Sequence, residues 1–337
     1  MRVVVIGGTG NISTGVVKAL LRYSHEVTVF NRGRRRSRLP EGVLYLQGDR
    51  KDRAAFEERM QTERFDAAID MICFNVEDAE SDVRAFRGMK HFIQTSTVAT
   101  FGGPLSDAPT DESSPLRPVT DYGRNKMAAE TVFADAHKRG DLPVTILKPG
   151  LTWGPGGSIA RQLSFDRRWL DRVRRGKPIL VTHGGDLFYI WCHSDDAGVA
   201  YAAALGRAAC IGETYILTTP GYRTWRQYHE GVAAGMGCKV ELVDAPAELL
   251  LKVWPQNTGL LASEARWNRL FSVAKLQRDI PEFRPTIKLE EGMAACVAWL
   301  DHEGLIEDSR TDDTEDRIIA GIARLYRELG VQGESSA

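Results

Sequence analysis

The chain has 337 residues, 43% hydrophobic and 26% charged, with a formal net charge of −1; this is the composition of an ordinary globular protein, long enough for one large or two modest domains. Near-neutral charge supplies no global field to recruit nucleic acid or an anionic membrane, and no segment approaches the roughly 20 apolar residues of a membrane span. Five dispersed cysteines, Cys73, Cys192, Cys210, Cys238 and Cys296, form no CxxC pair and no His-Cys cluster at metal-ligand spacing, so reduced thiols, no metal and a cytoplasmic location are expected.

The β-branched run Val3-Val4-Val5-Ile6 is a strand rather than a signal peptide. It ends at Gly7-Gly8-Thr9-Gly10-Asn11-Ile12-Ser13-Thr14-Gly15, and a helical pattern of Val16, Val17, Leu20 and Leu21 follows. A buried parallel strand, a tight turn and a helix N-terminus are predicted. Glycines let the backbone approach a pyrophosphate, and free N–H groups with the helix dipole favour its charge, so the expected ligand is a dinucleotide. A second strand over residues 25–30 ends at Asn31-Arg32-Gly33 and an arginine-rich run to Arg38. An acid at that strand end would accept from an adenine ribose hydroxyl, whereas guanidinium forks suit a 2′-phosphate; the acid is missing, which leans the reading to NADP. The alternative for Arg34 to Arg38 is a solvated basic loop.

Further strands are predicted at residues 43–46, 66–73 and 91–94, separated by helices patterned on Ala54, Phe56 and Met60 and starting again at Asn75. Such alternation predicts a parallel, doubly wound α/β sheet with its ligand over the strand C-termini. There, a loop of hydroxyls runs Thr95-Ser96-Thr97-Val98-Ala99-Thr100-Phe101-Gly102. A Pro- and acid-rich segment follows, then a helix opening at Thr120-Asp121-Tyr122 and reaching Lys126. Tyr122 and Lys126, four apart, share one helix face. A neighbouring ammonium stabilises a phenolate, and a phenol so tuned exchanges a proton with an alcohol or carbonyl while a hydroxyl from the Thr97 loop bonds the same oxygen. The pair taken alone also fits an ordinary surface contact.

In this order the motifs resemble the extended short-chain dehydrogenase/reductase superfamily, whose members include NAD-dependent sugar epimerases and dehydratases. The resemblance rests on Gly7 to Ile12, Gly48-Asp49, the loop closing at Phe101-Gly102, and Tyr122-x-x-x-Lys126. It continues through Lys148-Pro149-Gly150-Leu151-Thr152-Trp153-Gly154-Pro155-Gly156, His193-Ser194-Asp195-Asp196-Ala197 and Leu289-Glu290-Glu291-Gly292. It implies a Rossmann-type sheet with a smaller, mostly C-terminal substrate-binding lobe. It further implies Tyr122 as acid/base, Lys126 as its tuner and a ribose ligand, and Thr97 as an oxygen-orienting donor. With the glycine turn and the end of the second strand, the expected cofactor set is Gly7, Gly8, Thr9, Gly10, Asn11, Ile12, Asn31, Arg32, Asp49, Arg50, Lys126, Pro149 and Leu151. Three departures stand out: Ser13 in place of a third glycine, Asn31-Arg32 in place of an acid, and Asp70-Met71-Ile72-Cys73-Phe74-Asn75 in place of an alanine-rich turn.

A dinucleotide-binding domain is expected over residues 1–153, with returning segments near 187–210, and a substrate lobe with C-terminal helices over 154–337. Residues 142–147 are predicted to complete the cofactor sheet. An amphipathic helix is predicted over 159–175, its arginines forming a solvated face in preference to a site for substrate phosphate or carboxylate. A strand at 187–192 leads to His193, read as a structural junction, and Trp153 is the tryptophan best placed to stack on a sugar. Further elements are a strand at 212–217, helices at 224–236 and 285–300, helical structure over 245–270, and an amphipathic tail helix near 318–329 that docks on its own domain or on a second subunit.

The expected activity is hydride transfer with NAD or NADP on a sugar, sugar nucleotide or related polyol. NAD is tightly held in an epimerase; the enzyme alternative is an NADPH-dependent ketone or aldehyde reductase. A homodimer is expected, with no nucleic-acid or membrane partner. The contrasting class is a non-catalytic dinucleotide sensor or RNA-binding protein, motivated by the basic segments at 32–38 and 161–175.

Overall fold

The opening β-branched run forms β1 (Arg2–Ile6), with Val3 to Ile6 fully buried, and the turn after it leads into α1 (Asn11–Arg22). In chain order follow β2 (Glu26–Asn31), β3 (Leu44–Gln47), α2 (Arg53–Glu63), β4 (Ala67–Asp70), α3 (Val76–Ala85), β5 (His91–Thr95), α4 (Asp121–Lys138), β6 (Val144–Pro149) and β7 (Leu151–Trp153). This is a computed structural model, and it describes residues 1–34, 39–157 and 159–330. Arg35, Arg36 and Arg38 of the basic run lie outside the described residues.

Seven strands form one sheet in the order Thr214–Leu217, β6, β5, β4, β1, β2, β3. Every pairing in it is parallel. The connectivity reverses between β1 and β4, the switch point outside whose carboxyl ends doubly wound sheets bind ligands. One sheet face packs against α1 and the helix Ser194–Ala204, the other against α2, α3 and α4. α1 and the helix Ser194–Ala204 meet backbone to backbone: a Cβ on Gly15 would land on the Ser194 carbonyl, and one on Gly198 on the Gly15 carbonyl.

The chain divides into two units. The first comprises Met1–Gly157, Ile190–Tyr222 and Leu270–Ile287, and holds the sheet. The second comprises the described residues from 159 to 189, Arg223–Arg269 and the described residues from Lys288 on. Its core gathers Leu163, Leu180, Leu250, Trp254 and Leu261 with Ile322 of the tail helix Thr314–Glu328, and Ile318 and Ile319 pack against it. The tail helix therefore docks on its own unit.

Three sequence expectations are corrected here. The Arg-rich stretch is helical only over Arg168–Arg174. Arg161 is buried and pairs with Glu315, while Arg172 pairs with Asp316 at 2.8 Å, Arg174 with Asp301 at 2.7 Å and Arg168 with Asp312 at 3.1 Å. Arg161 and Arg172 are buried rather than solvated, while Arg174 and Arg175 stay exposed; the four paired arginines meet acidic residues between Asp301 and Asp316, the last two of which lie in the first turn of the tail helix. The strand at 187–192 is two short strands, Phe188–Tyr189 against Arg223–Thr224 and Trp191–His193 beside β7. The strand at 66–73 stops at Asp70, whose carboxylate accepts from the Ile72 N–H at 2.5 Å and turns the chain away from the sheet.

Candidate active site

The turn after β1 has a cradle that side chains would fill. Gly7 and Gly8 hold φ of 108° and 64°, and a Cβ on Gly8 would overlap Val29. Gly10 ends the turn as the N-cap of α1, where its N–H donates to Ser13 Oγ at 2.7 Å. Ser13, in place of a third glycine, thus fastens the turn to the helix. The first N–H groups of α1, on Asn11 and Ile12, have no acceptor within the helix and sit at its positive end. The residues present fit a dinucleotide pyrophosphate.

At the end of β2, Asn31 is committed to the protein. Its Nδ2 donates to the Gly7 carbonyl at 2.9 Å, and its Oδ1 accepts from the Gly33 N–H at 2.8 Å and from the Tyr45 hydroxyl at 3.2 Å. Arg32 is exposed and makes no ion pair among the described residues. Asp49, also exposed, accepts from the Lys51 N–H at 3.0 Å. Arg50 does not join this group. It is 3% exposed, and its guanidinium contacts Asp70, Asp82 at 3.0 Å and the Asp78 carbonyl at 2.8 Å.

The expected catalytic residues sit on β5, α4 and the loop between them. Thr97 caps a single 3-10 turn, Val98–Phe101, and its Oγ1 accepts from the Ala99 N–H at 3.2 Å. That contact leaves the hydroxyl proton available to donate. α4 opens at its N-cap Thr120, and its first turn comes close to the same loop at Gly123, where a Cβ would lie 2.8 Å from the Ala99 carbonyl. Tyr122 is 47% exposed. Lys126 is buried, with Nζ 6.0 Å from the Tyr122 ring centroid, donating to the Cys73 and Thr95 carbonyls at 2.7 and 2.8 Å. Burial holds its ammonium below the usual lysine range, opposed by nearby negative charge from Asp70 and Glu130.

Sequence reasoning missed Glu130, one turn beyond Lys126 on α4. Its carboxylate accepts from Ser96 Oγ and pairs with Lys148 Nζ of β6 at 2.7 Å, and Lys148 donates to Thr100 Oγ1 at 2.9 Å. The available signal was the spacing of Tyr122, Lys126 and Glu130 along one helix face. At the end of β6, Pro149 pairs with Leu217 and Leu151 with Trp191. Asn11 Nδ2 donates to the Thr152 carbonyl at 2.8 Å, which ties α1 to β7. Trp153 is no stacking platform: it is 3% exposed, edge-on to His193 at 4.7 Å. His193 caps the helix Ser194–Ala204, its Nδ1 accepting from the Asp195 N–H at 3.1 Å.

A model of the NAD dependent epimerase/dehydratase family matches residues 78–217. A 2'-dehydrokanamycin reductase of Streptomyces kanamyceticus is 30% identical over 313 residues, covering 92% of this chain and 87% of the relative. A UDP-glucose 4-epimerase of Lactobacillus helveticus is 28% identical over 169 residues, 44% of this chain and 51% of that protein. The crystal structure of a Thermus thermophilus UDP-glucose 4-epimerase in complex with NAD shares the fold, with a TM-score of 0.71 and 22% identity, covering 89% of this chain and 99% of that one.

Proposed function

The chain belongs to the NAD dependent epimerase/dehydratase family, and from that premise we propose that it moves hydride at an alcohol or carbonyl carbon of a sugar, sugar nucleotide or related polyol. The observation that carries this reading is the meeting of α4 with the Thr97 loop, Lys126 being anchored on the Thr95 carbonyl just before that loop. A bound nicotinamide dinucleotide supplies the hydride acceptor or donor. Gly7, Gly8, Thr9, Gly10, Asn11 and Ile12 would hold its pyrophosphate, Asp49 would serve its adenine end, and the backbone at Pro149 and Leu151 its nicotinamide end. In the oxidative direction the Tyr122 phenolate takes the substrate hydroxyl proton as hydride leaves the carbon. The Thr97 hydroxyl donates to the same oxygen, and the Lys126 ammonium stabilises the phenolate. Sugar recognition falls to the second unit, and we infer a cytoplasmic homodimer paired through α4.

A second reading, net reduction with exchangeable NADPH, is favoured by the end of β2. Asn31 offers no carboxylate to a ribose diol, and its amide is already bonded on both sides, while the Arg32 guanidinium is free among the described residues to meet a 2′-phosphate. Denaturing the purified protein and identifying any released dinucleotide separates the two. Stoichiometric NAD supports an epimerase that recycles its cofactor, and an empty protein that binds NADPH supports the reductase. Failure to bind either dinucleotide would sink both.

A further inference from the structure

The segment Met71 to Phe74, inside the departing stretch Asp70 to Asn75, touches both halves of the candidate site. Ile72 lies against the glycine turn, where a Cβ on Gly7 would be 3.1 Å from Ile72 Cγ2. One residue later the Cys73 carbonyl accepts from Lys126 Nζ, and the next ring, Phe74, has its centroid 4.8 Å from that ammonium. Both ends of this segment are held by carboxylates. The Ile72 N–H donates to Asp70, and the Phe74 N–H donates to Asp78 Oδ2 at 3.1 Å. Behind them Arg50 bonds Asp70 and reaches the carbonyl of Asp78 and the carboxylate of Asp82, all buried. From the surface, Lys51 pairs with Asp78 at 2.8 Å and Arg53 at 3.4 Å.

We propose that Asp78, backed by Arg50, is a positioning residue for the dinucleotide site: by fixing the Phe74 amide it holds the Cys73 carbonyl where it orients Lys126. The charges of the cluster support a fixed arrangement. Burial and the adjacent Asp70 hold the Asp82 carboxyl well above the usual range, opposed by the charge of Arg50. Burial alone would raise the Asp78 carboxyl as well; the hydrogen bond from Lys51 and the charge of Arg50 outweigh it, hold the carboxyl below the usual range and keep Asp78 ionised. Arg50 bonds both Asp70 and Asp82, and Lys51 pairs with Asp78. A turn whose carbonyl aims a buried ammonium needs both flanking amides satisfied.

This inference rests on the proposed reading of Lys126 as a ribose ligand, and the test separates the two. NADH and NADPH affinities are measured by fluorescence titration on the whole protein, with thermal midpoints as the check on folding. Asp78→Asn keeps a side-chain oxygen for the Phe74 N–H and is expected to bind within about twofold of the parent. Asp78→Ala loses that oxygen and is expected to bind about tenfold or more weakly, the scale of a lost charge-assisted hydrogen bond. If Asp78→Ala does not fold, Asp78→Ser, whose shorter side chain falls short of the Phe74 amide, takes its place with the same expectation. Equal losses in the Asn and Ala variants would assign Asp78 a purely electrostatic role and overturn the proposal, as would unchanged binding in both. Lys126→Met is the control. Unchanged affinity there removes the Lys126 reading itself, while weakened affinity there with normal binding in Asp78→Ala removes only the role of Asp78.

Discussion

Glu130 and Lys148 meet at 2.7 Å inside the first unit, and between them they grip both ends of the loop that carries Thr97. Glu130 takes Ser96 on one side of Thr97, Lys148 takes Thr100 on the other, and Glu130 rides on the helix that carries Tyr122 and Lys126. One buried ion pair therefore couples the Thr97 loop to the helix that carries Tyr122 and Lys126. Removing one partner leaves the other charged and buried, so Glu130→Ala is expected to cost on the order of 3–5 kcal/mol in denaturant unfolding. Replacing both, as Glu130→Leu with Lys148→Met, recovers most of that stability but leaves turnover low, because the loop loses its grip. A double variant with parental turnover would show that the pair serves stability alone.

Tyr122→Phe removes one oxygen from a half-exposed side chain and leaves the fold and dinucleotide binding intact. Turnover is expected to fall by about 10²–10⁴-fold, the contribution of a positioned acid/base. Steady-state rates beside a dinucleotide titration read both quantities, and retained turnover would reject the mechanism.

Arg32→Ala tests the second reading. If the guanidinium meets a 2′-phosphate, NADPH binding weakens about 10- to 100-fold, corresponding to roughly 1.5–3 kcal/mol for a charge-assisted contact, while NADH binding barely moves. Equal changes for both dinucleotides would assign Arg32 no part in choosing between them.

In the second unit, Glu315 accepts from Arg161 and also lies 3.3 Å from Arg172, which has Asp316 as a further partner. Removal of either partner is therefore not symmetrical. Glu315→Ala strands a fully buried Arg161 and is expected to cost about 3–5 kcal/mol, whereas Arg161→Met leaves Glu315 still paired and costs roughly half as much. Urea midpoints of the two variants give the ranking, and the reverse order would contradict the pairing described.

His91 supplies a pH dependence with a defined sign. Its Nδ1 accepts from the Gly206 N–H at 2.8 Å, so Nε2 carries the proton and donates to Thr145 Oγ1 at 2.8 Å, and the Thr145 hydroxyl donates in turn to the Cys210 carbonyl. Burial pushes the folded-state pKa down to about 4. Above pH ~6.5 the ring is neutral in both folded and unfolded chains and contributes no pH dependence. Below that the unfolded chain takes up a proton that the folded chain refuses, so stability falls with pH until about pH 4. The slope from this one residue approaches about 1.4 kcal/mol per pH unit. His91→Gln is expected to flatten the loss of unfolding free energy between about pH 6.5 and about pH 4.5, measured in urea at each pH; an unchanged slope would show that His91 protonates freely when folded.

The local patterns of the sequence determined the sheet, the glycine turn and the helix that places Tyr122 and Lys126 on one face. Each of these is set by residues within a few positions of one another: β-branched runs, positive-φ glycines, an N-cap threonine and a four-residue spacing. Only the tertiary structure decided which polar side chains were used up inside the protein. Arg50 was expected to face a cofactor and instead meets Asp70 and Asp82, and Asn31 is spent on the Gly7 carbonyl. Arg161 found a carboxylate 154 positions away, and in doing so left the helix its periodicity predicted. The physical reason is common to all three. A buried charge or amide must be paired wherever the fold brings a partner, and that cost outweighs the few tenths of a kcal/mol per residue by which helix propensity speaks for a local conformation.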